Sequence, residues 1–261
     1  MTQQIGRQAD SFTIAVAQSS SSKGDIDENV RRHLMMVARA IENDVNVIVF
    51  PELSLTGYEP EIAAQLAIDA SDHRLNPLQE LSDRSGVTIV AGCPIRSNFN
   101  KPYIGALIFR RHLKIETYRK RFVHEDELPW FLPSDDVVVC ASHGRHLGIA
   151  ICFDVSNPQH AADTFRKGAD VYVAGVAKTP DGIAKAEEQL AGYARRHQSP
   201  VVMANHATET GGSPTGGRSA IWNEFGNIII RAPESSEHLA IAERSPDEWK
   251  GRIVAMGNSS R

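Results

Sequence analysis

Three reactive side chains of this sequence, a carboxylic acid, an amine and a thiol, each follow directly after a predicted strand. They are Glu52, Lys120 and Cys152. Strand ends are the places where open α/β architectures bind ligands. A thiol becomes an effective nucleophile when a carboxylate can accept its proton, and an ammonium group can stabilise the negative charge that follows. The sequence therefore predicts a cysteine-centred site, provided that the three strand ends converge.

The local surroundings of the acid and the thiol support this chemistry. Glu52 leaves an apolar strand, so we expect partial burial to raise its pKa towards neutrality. Cys152 ends another apolar strand, and Pro158 can open a helix soon after it, which predicts a strand-to-helix elbow. A free thiol has a pKa of about 8.5 and needs a cation or a base nearby to react. Taken alone, each residue also fits an ordinary role: a rim carboxylate, a solvated basic face around Lys120, or a small core residue.

The elements that must position these side chains alternate between apolar strands and amphipathic helices, which predicts an α/β fold. We predict strands at 12–17, 45–50, 87–92, 104–109, 114–118, 137–140, 147–151, 171–174, 201–204, 219–222 and 228–231, and helices at 27–43, 77–85, 158–167 and 183–197. They form two βα-rich halves, roughly 1–110 and 137–232. We predict a single domain over 1–261, with a core at about 12–242 and a polar tail at 243–261, and we expect the chain after Pro233 to be partly an extended arm.

Composition excludes several function classes. The formal net charge is −4, and no block of Lys and Arg is long enough to suggest a nucleic-acid or anionic-lipid surface. No stretch approaches the roughly 18 apolar residues of a membrane helix, and the first residues do not resemble a signal peptide. The three cysteines match no disulfide framework or zinc ribbon. We therefore expect a cytoplasmic protein with free thiols and neither a nucleic-acid nor a membrane partner.

Other candidate sites are weaker. Cys140, His143 and His146 are residue types that bind metals, but they lie at a predicted turn without a second ligand pair. The Gly-rich segment 211–219 lacks the ending of a phosphate-binding loop, so we predict a flexible loop near the site. No Gly-x-Ser-x-Gly elbow occurs, which argues against a serine hydrolase. Cys93 and Cys140 are expected to be packing residues.

Taken together and in this order, the segments around the three side chains resemble the signatures of the nitrilase (carbon-nitrogen hydrolase) superfamily. The matching segments are FPELSLTGY at 50–58, YRK at 118–120, and GIAICFD at 148–154 followed by Pro158. The resemblance extends over roughly residues 12–242. It implies that Glu52 is the general base, Lys120 the catalytic lysine and Cys152 the nucleophile. It also implies a supporting glutamate soon after the lysine, for which Glu127 has the corresponding position and Glu125 is the competitor.

The resemblance further implies a four-layer α-β-β-α sandwich that assembles as a homodimer or a larger homo-oligomer. In the implied mechanism, Glu52 takes the proton of Cys152 as the sulfur attacks an amide carbon, and a thioester forms. Lys120 and the backbone N–H of Phe153 hold the oxyanion. The expected substrate is a small amide, and no metal or organic cofactor has a role.

Two details of the sequence favour amide hydrolysis within the superfamily. Phe153-Asp154 after the cysteine is closer to the amidase pattern than the Trp-Glu that resembles true nitrilases. The positively charged residue that several carboxylate-recognising members have a few positions after the nucleophile is Ser156 here, which argues against an N-carbamoyl amino acid. A nitrilase, an N-carbamoylase, a non-catalytic binding member of the fold and a metal-dependent hydrolase remain the alternatives. We expect loops 58–65, 124–133 and 179–185 to determine specificity.

Overall fold

The computed structural model describes residues 11–246 and 248–257, and the chain in these ranges forms two β-sheets with helices on their outer faces. The strands are β1 (Phe12–Gln18), β2 (Val47–Val49), β3 (Thr88–Ile95), β4 (Tyr103–Phe109), β5 (Glu116–Arg119), β6 (Val139–Ser142), β7 (Arg145–Ile151), β8 (Val171–Gly175), β9 (Val201–Ala204), β10 (Ala220–Trp222), β11 (Ile228–Arg231), β12 (His238–Arg244) and β13 (Trp249–Ala255). The helices are α1 (Ile26–Ile41), α2 (Ala63–Leu66), α3 (Asn76–Ser85), α4 (Pro158–Arg166) and α5 (Pro180–His197). Short 3₁₀ turns cover Pro60–Ile62, His73–Leu75, Glu125–Glu127 and Cys152–Ser156.

The order of strands sets which strand ends can meet. One sheet has the order β13-β12-β1-β2-β3-β4-β5, and the other has the order β11-β10-β9-β8-β7-β6. Strands β1, β2 and β3 are parallel, and β4 and β5 then alternate in direction, so β5 runs the same way as β2. In the second sheet β7, β8 and β9 are parallel. The carboxyl ends of each parallel set therefore lie at one edge of its sheet.

The apolar strands are buried on both faces, which explains why their sequences are continuous rather than alternating. In β1, Ile14 and Val16 pack between the two sheets. Ala15 and Ala17 point the other way and pack with Val37 of α1. Helices α4 and α5 cover the outer face of the second sheet in the same manner. The molecule thus has the predicted α-β-β-α order of layers, and the fold class is confirmed.

Helix α5 begins three residues earlier than predicted, because its first turn is capped. Pro180 occupies the first turn, where its missing N–H costs no helical hydrogen bond. The side chain of Thr179 accepts a hydrogen bond of 3.3 Å from the N–H of Gly182. Within residues 11–246 and 248–257, no helix is both long and apolar enough to cross a membrane.

The prediction of an extended polar arm after Pro233 was wrong. Strand β12 inserts between β1 and β13 in the first sheet, and residues 239–242 are fully buried. The predicted boundary between core and tail, at 242/243, falls inside this strand. Strand β13 then pairs with β12 along its whole length. Its residues are half-buried or exposed, and Lys250, Gly251 and Arg252 interrupt its apolar residues, so the sequence lacks the long apolar run that would predict a strand.

Candidate active site

The three side chains predicted from strand ends meet at one end of the sandwich. Glu52 follows β2 and Lys120 follows β5, so both come from the first sheet. Cys152 follows β7 of the second sheet. The site therefore lies across the two sheets, with the acid and the amine on one side and the thiol on the other.

The chain that carries Glu52 passes very close to two glycines. A Cβ added to Gly92 of β3 would lie 2.3 Å from the backbone nitrogen of Leu53, and one added to Gly175 of β8 would lie 2.6 Å from the carbonyl oxygen of Phe50. The backbone oxygen of Glu52 also accepts a hydrogen bond of 2.8 Å from Nε2 of the buried His206. The position of Glu52 is thus set by close packing against both sheets.

Lys120 is a fully buried cation held between two carboxylates. Its Nζ lies 2.8 Å from Oε1 of Glu52 and 2.8 Å from both carboxylate oxygens of Glu127. Burial alone would lower the pKa of Lys120, but the negative charges of the two glutamates outweigh it and raise the pKa above its ordinary value. The amine therefore stays protonated throughout the physiological range of pH.

The two glutamates respond in opposite directions to this arrangement. Burial raises the pKa of both carboxyl groups, and the charge of Lys120 opposes it. For Glu127 the lysine, together with hydrogen bonds from His124 and Tyr58, prevails and the pKa is lowered. For Glu52 burial prevails and the pKa is raised. Oε2 of Glu52 is buried and has no hydrogen-bond partner within the described residues. The thiol of Cys152 lies close enough to the Glu52 carboxyl group to oppose the rise in its pKa.

Cys152 sits at a sharp turn between β7 and a 3₁₀ turn, as the predicted elbow requires. Its φ is 40°, in the left-handed region that non-glycine residues rarely adopt. Burial, with the charge of Glu52, raises the pKa of the thiol to about 11, although Lys178 and Lys120 oppose the shift. The thiol is therefore neutral near pH 7 and needs a base to become a nucleophile.

Asp154, two residues after the cysteine, holds the elbow in place. Its carboxylate is fully buried and accepts hydrogen bonds from the hydroxyl of Tyr118 (2.6 Å) and from the backbone N–H groups of Phe122 (2.9 Å) and Ile151 (2.9 Å). These bonds join the end of β7 to the chain that follows Lys120. The aspartate thus links the lysine and cysteine segments of the site.

Glu127, rather than Glu125, is the carboxylate beside Lys120. Its carboxylate also accepts hydrogen bonds of 2.8 Å from the hydroxyl of Tyr58 and from the backbone N–H of His124. Glu125 is exposed. The 3₁₀ turn Glu125–Glu127 buries only its last residue, so Glu127 is the one of the two candidates that contacts the lysine.

A cavity of about 440 Å³ opens onto the thiol. It is lined by Cys152 and Phe153, by Tyr58, and by residues of the segments 124–127, 177–182 and 210–215. Each of the three loops predicted to determine specificity contributes to this lining, as does the predicted Gly-rich loop. Larger surface clefts of about 540 and 650 Å³ lie elsewhere and contain none of the predicted catalytic residues. The cavity on the thiol is therefore the candidate substrate site.

The remaining sequence candidates lie apart from this cavity. Cys93 is buried inside β3, which extends beyond its predicted end, and burial raises the pKa of its thiol. Cys140 is also buried. Nε2 of His143 donates a hydrogen bond of 2.9 Å to the carbonyl oxygen of Gly86. Among the described residues, no group of three or more His, Cys, Asp or Glu side chains is arranged to hold a metal ion.

Sequence reasoning missed several residues of the site. Lys178 and His206 follow the ends of β8 and β9, so the argument from strand ends that found Cys152 applies to them as well. Tyr58 lies within the segment that carries Glu52, but nothing in the sequence indicates that its hydroxyl contacts Glu127. Such a contact depends on how two loops pack, which local patterns do not encode.

Comparison with known proteins places this chain and its fold in one class. The sequence profile of the carbon-nitrogen hydrolase family matches residues 13–252. A structure of a variant of the amidase from Nesterenkonia sp. AN1 in complex with butyramide superposes with a TM-score of 0.81 at 23% identity, over 90% of this chain and 92% of that one. The four-layer sandwich is thus the nitrilase-type fold.

The alignments with relatives found by sequence extend over different shares of each relative's length. The (R)-stereoselective amidase of Pseudomonas sp. is 24% identical over 255 residues, which are 93% of this chain and 92% of the relative. The glutamine-dependent NAD(+) synthetase of Acinetobacter baylyi is 23% identical over 240 residues, which are 89% of this chain and 44% of the synthetase. The chain spans less than half the length of the NAD(+) synthetases that it matches. It belongs to the carbon-nitrogen hydrolase family of the nitrilase superfamily.

Proposed function

We propose that the protein hydrolyses a small linear amide to a carboxylic acid and ammonia through a thioester on Cys152. The observation that carries this proposal is the placement of a neutral thiol beside a buried carboxylate with a free oxygen, Oε2 of Glu52. A carboxylate of raised pKa accepts a thiol proton and later returns it to a leaving group. The related amidases from Pseudomonas sp. and Nesterenkonia sp. AN1 support an amide as the substrate.

The proposed reaction has two halves that use the same base. In the first half, Glu52 takes the proton of Cys152 while sulfur bonds to the amide carbon, and the carbonyl oxygen becomes an oxyanion. Lys120 and the backbone N–H of Phe153 stabilise that charge. The C–N bond then breaks as Glu52 gives its proton to the departing ammonia. In the second half, Glu52 takes a proton from water and the hydroxide attacks the thioester. The C–S bond then breaks as Glu52 returns the proton to the sulfur, which releases the acid and restores the thiol of Cys152.

Glu127 has a positioning role in this scheme. Its pKa is lowered, so it stays ionised and keeps Lys120 charged and directed towards the reacting oxygen. The scheme requires no metal or organic cofactor. The homo-oligomer and the cytoplasmic location predicted from sequence stay predictions, which light scattering of the purified protein and imaging of the tagged protein in cells would test.

The test compares products from matched substrates. We expect the purified protein to release ammonia from butyramide faster than from butyronitrile or from an N-carbamoyl compound of similar size. Glutamine belongs in the same panel, because one group of relatives is glutamine-dependent. Faster hydrolysis of the nitrile or the carbamoyl compound would replace the proposal with one of those activities, and no turnover of any of them would favour a non-catalytic member of the fold.

The nucleophile has its own test. Cys152→Ala should abolish ammonia release, because no thioester can form, while circular dichroism shows an intact fold. Cys93→Ala and Cys140→Ala are the matched controls, since both thiols are buried away from the cavity, and both variants should keep most of the activity. Full ammonia release by Cys152→Ala would refute the mechanism.

A further inference from the structure

Lys178 is a cation in the cavity that the proposed chemistry does not use. It follows β8 after two residues and lines the same cavity as Cys152. It is half-buried. Within the described residues no carboxylate lies within 4.0 Å of its ammonium group, whereas Lys120 has two glutamates as partners.

The backbone of Lys178 is fixed by a buried asparagine. Its N–H donates to Oδ1 of Asn205 at 2.9 Å, and its carbonyl oxygen accepts from Nδ2 of Asn205 at 3.1 Å and from the N–H of Gly216 at 2.8 Å. Asn205 is fully buried. The side chain runs past Gly182 at the start of α5, where its Cδ is 3.8 Å from the position that a Cβ would take. Lys178 is thus held at the cavity rather than projecting freely into solvent.

The charges around the cavity leave Lys178 available for an anion. Lys120 and Glu127 neutralise one another, and Glu52 is the proton acceptor of the mechanism. The other charged residue of the lining is Asp126, whose side chain is 91% exposed and lies 3.6 Å from Nδ1 of His124. An unpaired ammonium group beside a reactive thiol favours a substrate with negative charge near its scissile bond.

We propose that Lys178 is a specificity-determining residue that binds a carboxylate of the substrate, so that the preferred substrates are short amides with a carboxylate a few bonds from the amide carbon. The inference rests on the proposed amide hydrolysis. Ser156, at the position where several superfamily members have a carboxylate-binding cation, lies outside the lining of the cavity. Lys178 supplies the positive charge from a different strand end.

The first experiment needs no turnover. Iodoacetate and iodoacetamide alkylate a thiol in the same way, but only iodoacetate carries a carboxylate. We expect the ratio of their rates at Cys152 to fall about 10-fold or more in Lys178→Met, which is the range for losing a charged hydrogen bond. Any general change in the reactivity of the thiol cancels in this ratio. Lys178→Arg should keep most of the ratio, and Lys114→Met, an exposed lysine between β4 and β5, should leave it unchanged.

The second experiment measures kcat/KM for succinamate and butyramide, which differ by a terminal carboxylate in place of a methyl group. The wild type should prefer succinamate, and Lys178→Met should lose about 10-fold or more on succinamate and little on butyramide. An equal loss on both amides, or an unchanged alkylation ratio, would overturn the inference. A wild type that hydrolyses no amide but shows the expected alkylation ratios would refute the proposed function and leave the carboxylate site supported.

Discussion

At the scale of single residues, two glutamates that share one lysine have surroundings that shift their pKa values in opposite directions. Glu127 accepts hydrogen bonds from Lys120, Tyr58 and the backbone of His124, so its charge is well stabilised. Glu52 contacts the same lysine through one oxygen only, and burial raises its pKa. A pair of carboxyl groups whose surroundings shift their pKa values apart is a frequent basis for dividing acid-base roles in enzymes.

The raised pKa of Glu52 predicts a specific dependence on pH. The base must be deprotonated, so kcat/KM should fall as pH decreases through the pKa of Glu52, which lies above the ordinary carboxyl value of 4.5. Above that pKa the rate should level off, because the thiol itself ionises only at about pH 11. Glu52→Gln should lower kcat/KM by about 10²-fold or more and remove the acidic limb. Steady-state kinetics from pH 4 to 9 would measure both effects.

Two variants serve as controls for this prediction. Glu125→Gln removes an exposed carboxylate of the same 3₁₀ turn that carries Glu127 and should leave the pH profile unchanged. His124→Ala should keep near wild-type acylation, because the proposed base is a carboxylate rather than an imidazole. An unaltered acidic limb in Glu52→Gln, or a collapse of acylation in a folded His124→Ala, would mean that another group is the base.

At the scale of elements, the position of Glu52, the proposed base, depends on two strands that have glycine where the segment carrying Glu52 passes them. The segment after β2 lies between Gly92 of β3 and Gly175 of β8, with less room than a methyl group needs. Glycine is required at both positions by this close approach rather than by the conformation of the backbone. The packing of one sheet against the other therefore determines where the carboxylate of Glu52 lies.

Gly175→Ala should consequently damage both activity and stability. The added methyl group would press on the carbonyl oxygen of Phe50 and displace Glu52, at a cost of about 1–3 kcal/mol in the free energy of unfolding. We expect kcat to fall more than stability alone explains, when both are measured at a temperature where the variant remains folded. Gly192→Ala in α5 is the control, since nothing lies within 4 Å of its added Cβ, and a helical alanine should stabilise by about 0.5–1 kcal/mol. Wild-type kcat in Gly175→Ala would show that this contact does not position the base.

Sequence patterns predicted the ends of β2 and β7 well because Glu52 and Cys152 each follow a buried apolar run, whereas β5, before Lys120, has the sequence ETYR with one buried residue. They did not reveal β13, since none of its residues is fully buried and Lys250, Gly251 and Arg252 divide its apolar residues. Strand β12 was missed because its four buried residues, 239–242, are flanked by charged ones. Lys178 and Asn205 escaped notice for another reason: their importance comes from hydrogen bonds between two loops, and such contacts have no local pattern.

At the scale of the whole molecule, two buried histidines should make the protein sensitive to acid. His33 of α1 contacts Oγ of Ser54 at 2.9 Å, and His206 contacts the backbone of Glu52. Burial lowers the pKa of each to about 4. An unfolded histidine has a pKa near 6.5, so between pH 6.5 and 4 the unfolded chain binds more protons than the folded one. The stability is complete above pH 6.5 and is lost as pH falls towards 4.

We expect His33 and His206 each to lower the free energy of unfolding by on the order of 3 kcal/mol as pH decreases from 7 to 4. Urea unfolding at several pH values would measure this slope. His33→Gln should reduce the slope of stability against pH, because it removes a titrating group. It should also lower the stability at pH 7. The exposed His143 provides the control, and His143→Gln should leave the slope unchanged. A His33→Gln slope equal to that of the wild type would rule out this origin of acid sensitivity.

The insertion of β12 between β1 and β13 also determines the order in which the first sheet is assembled during synthesis. Strand β1 is made first, and its parallel neighbour β2 becomes available some thirty residues later. Its other neighbour, β12, is made more than 200 residues later, with register pairs such as Phe12 opposite Arg244. Until then one edge of β1 has unpaired backbone groups, which is the state in which strands pair with foreign chains. Glu52, Lys120 and Cys152, the proposed catalytic residues, are therefore all synthesised before the sheet that supports two of them is closed.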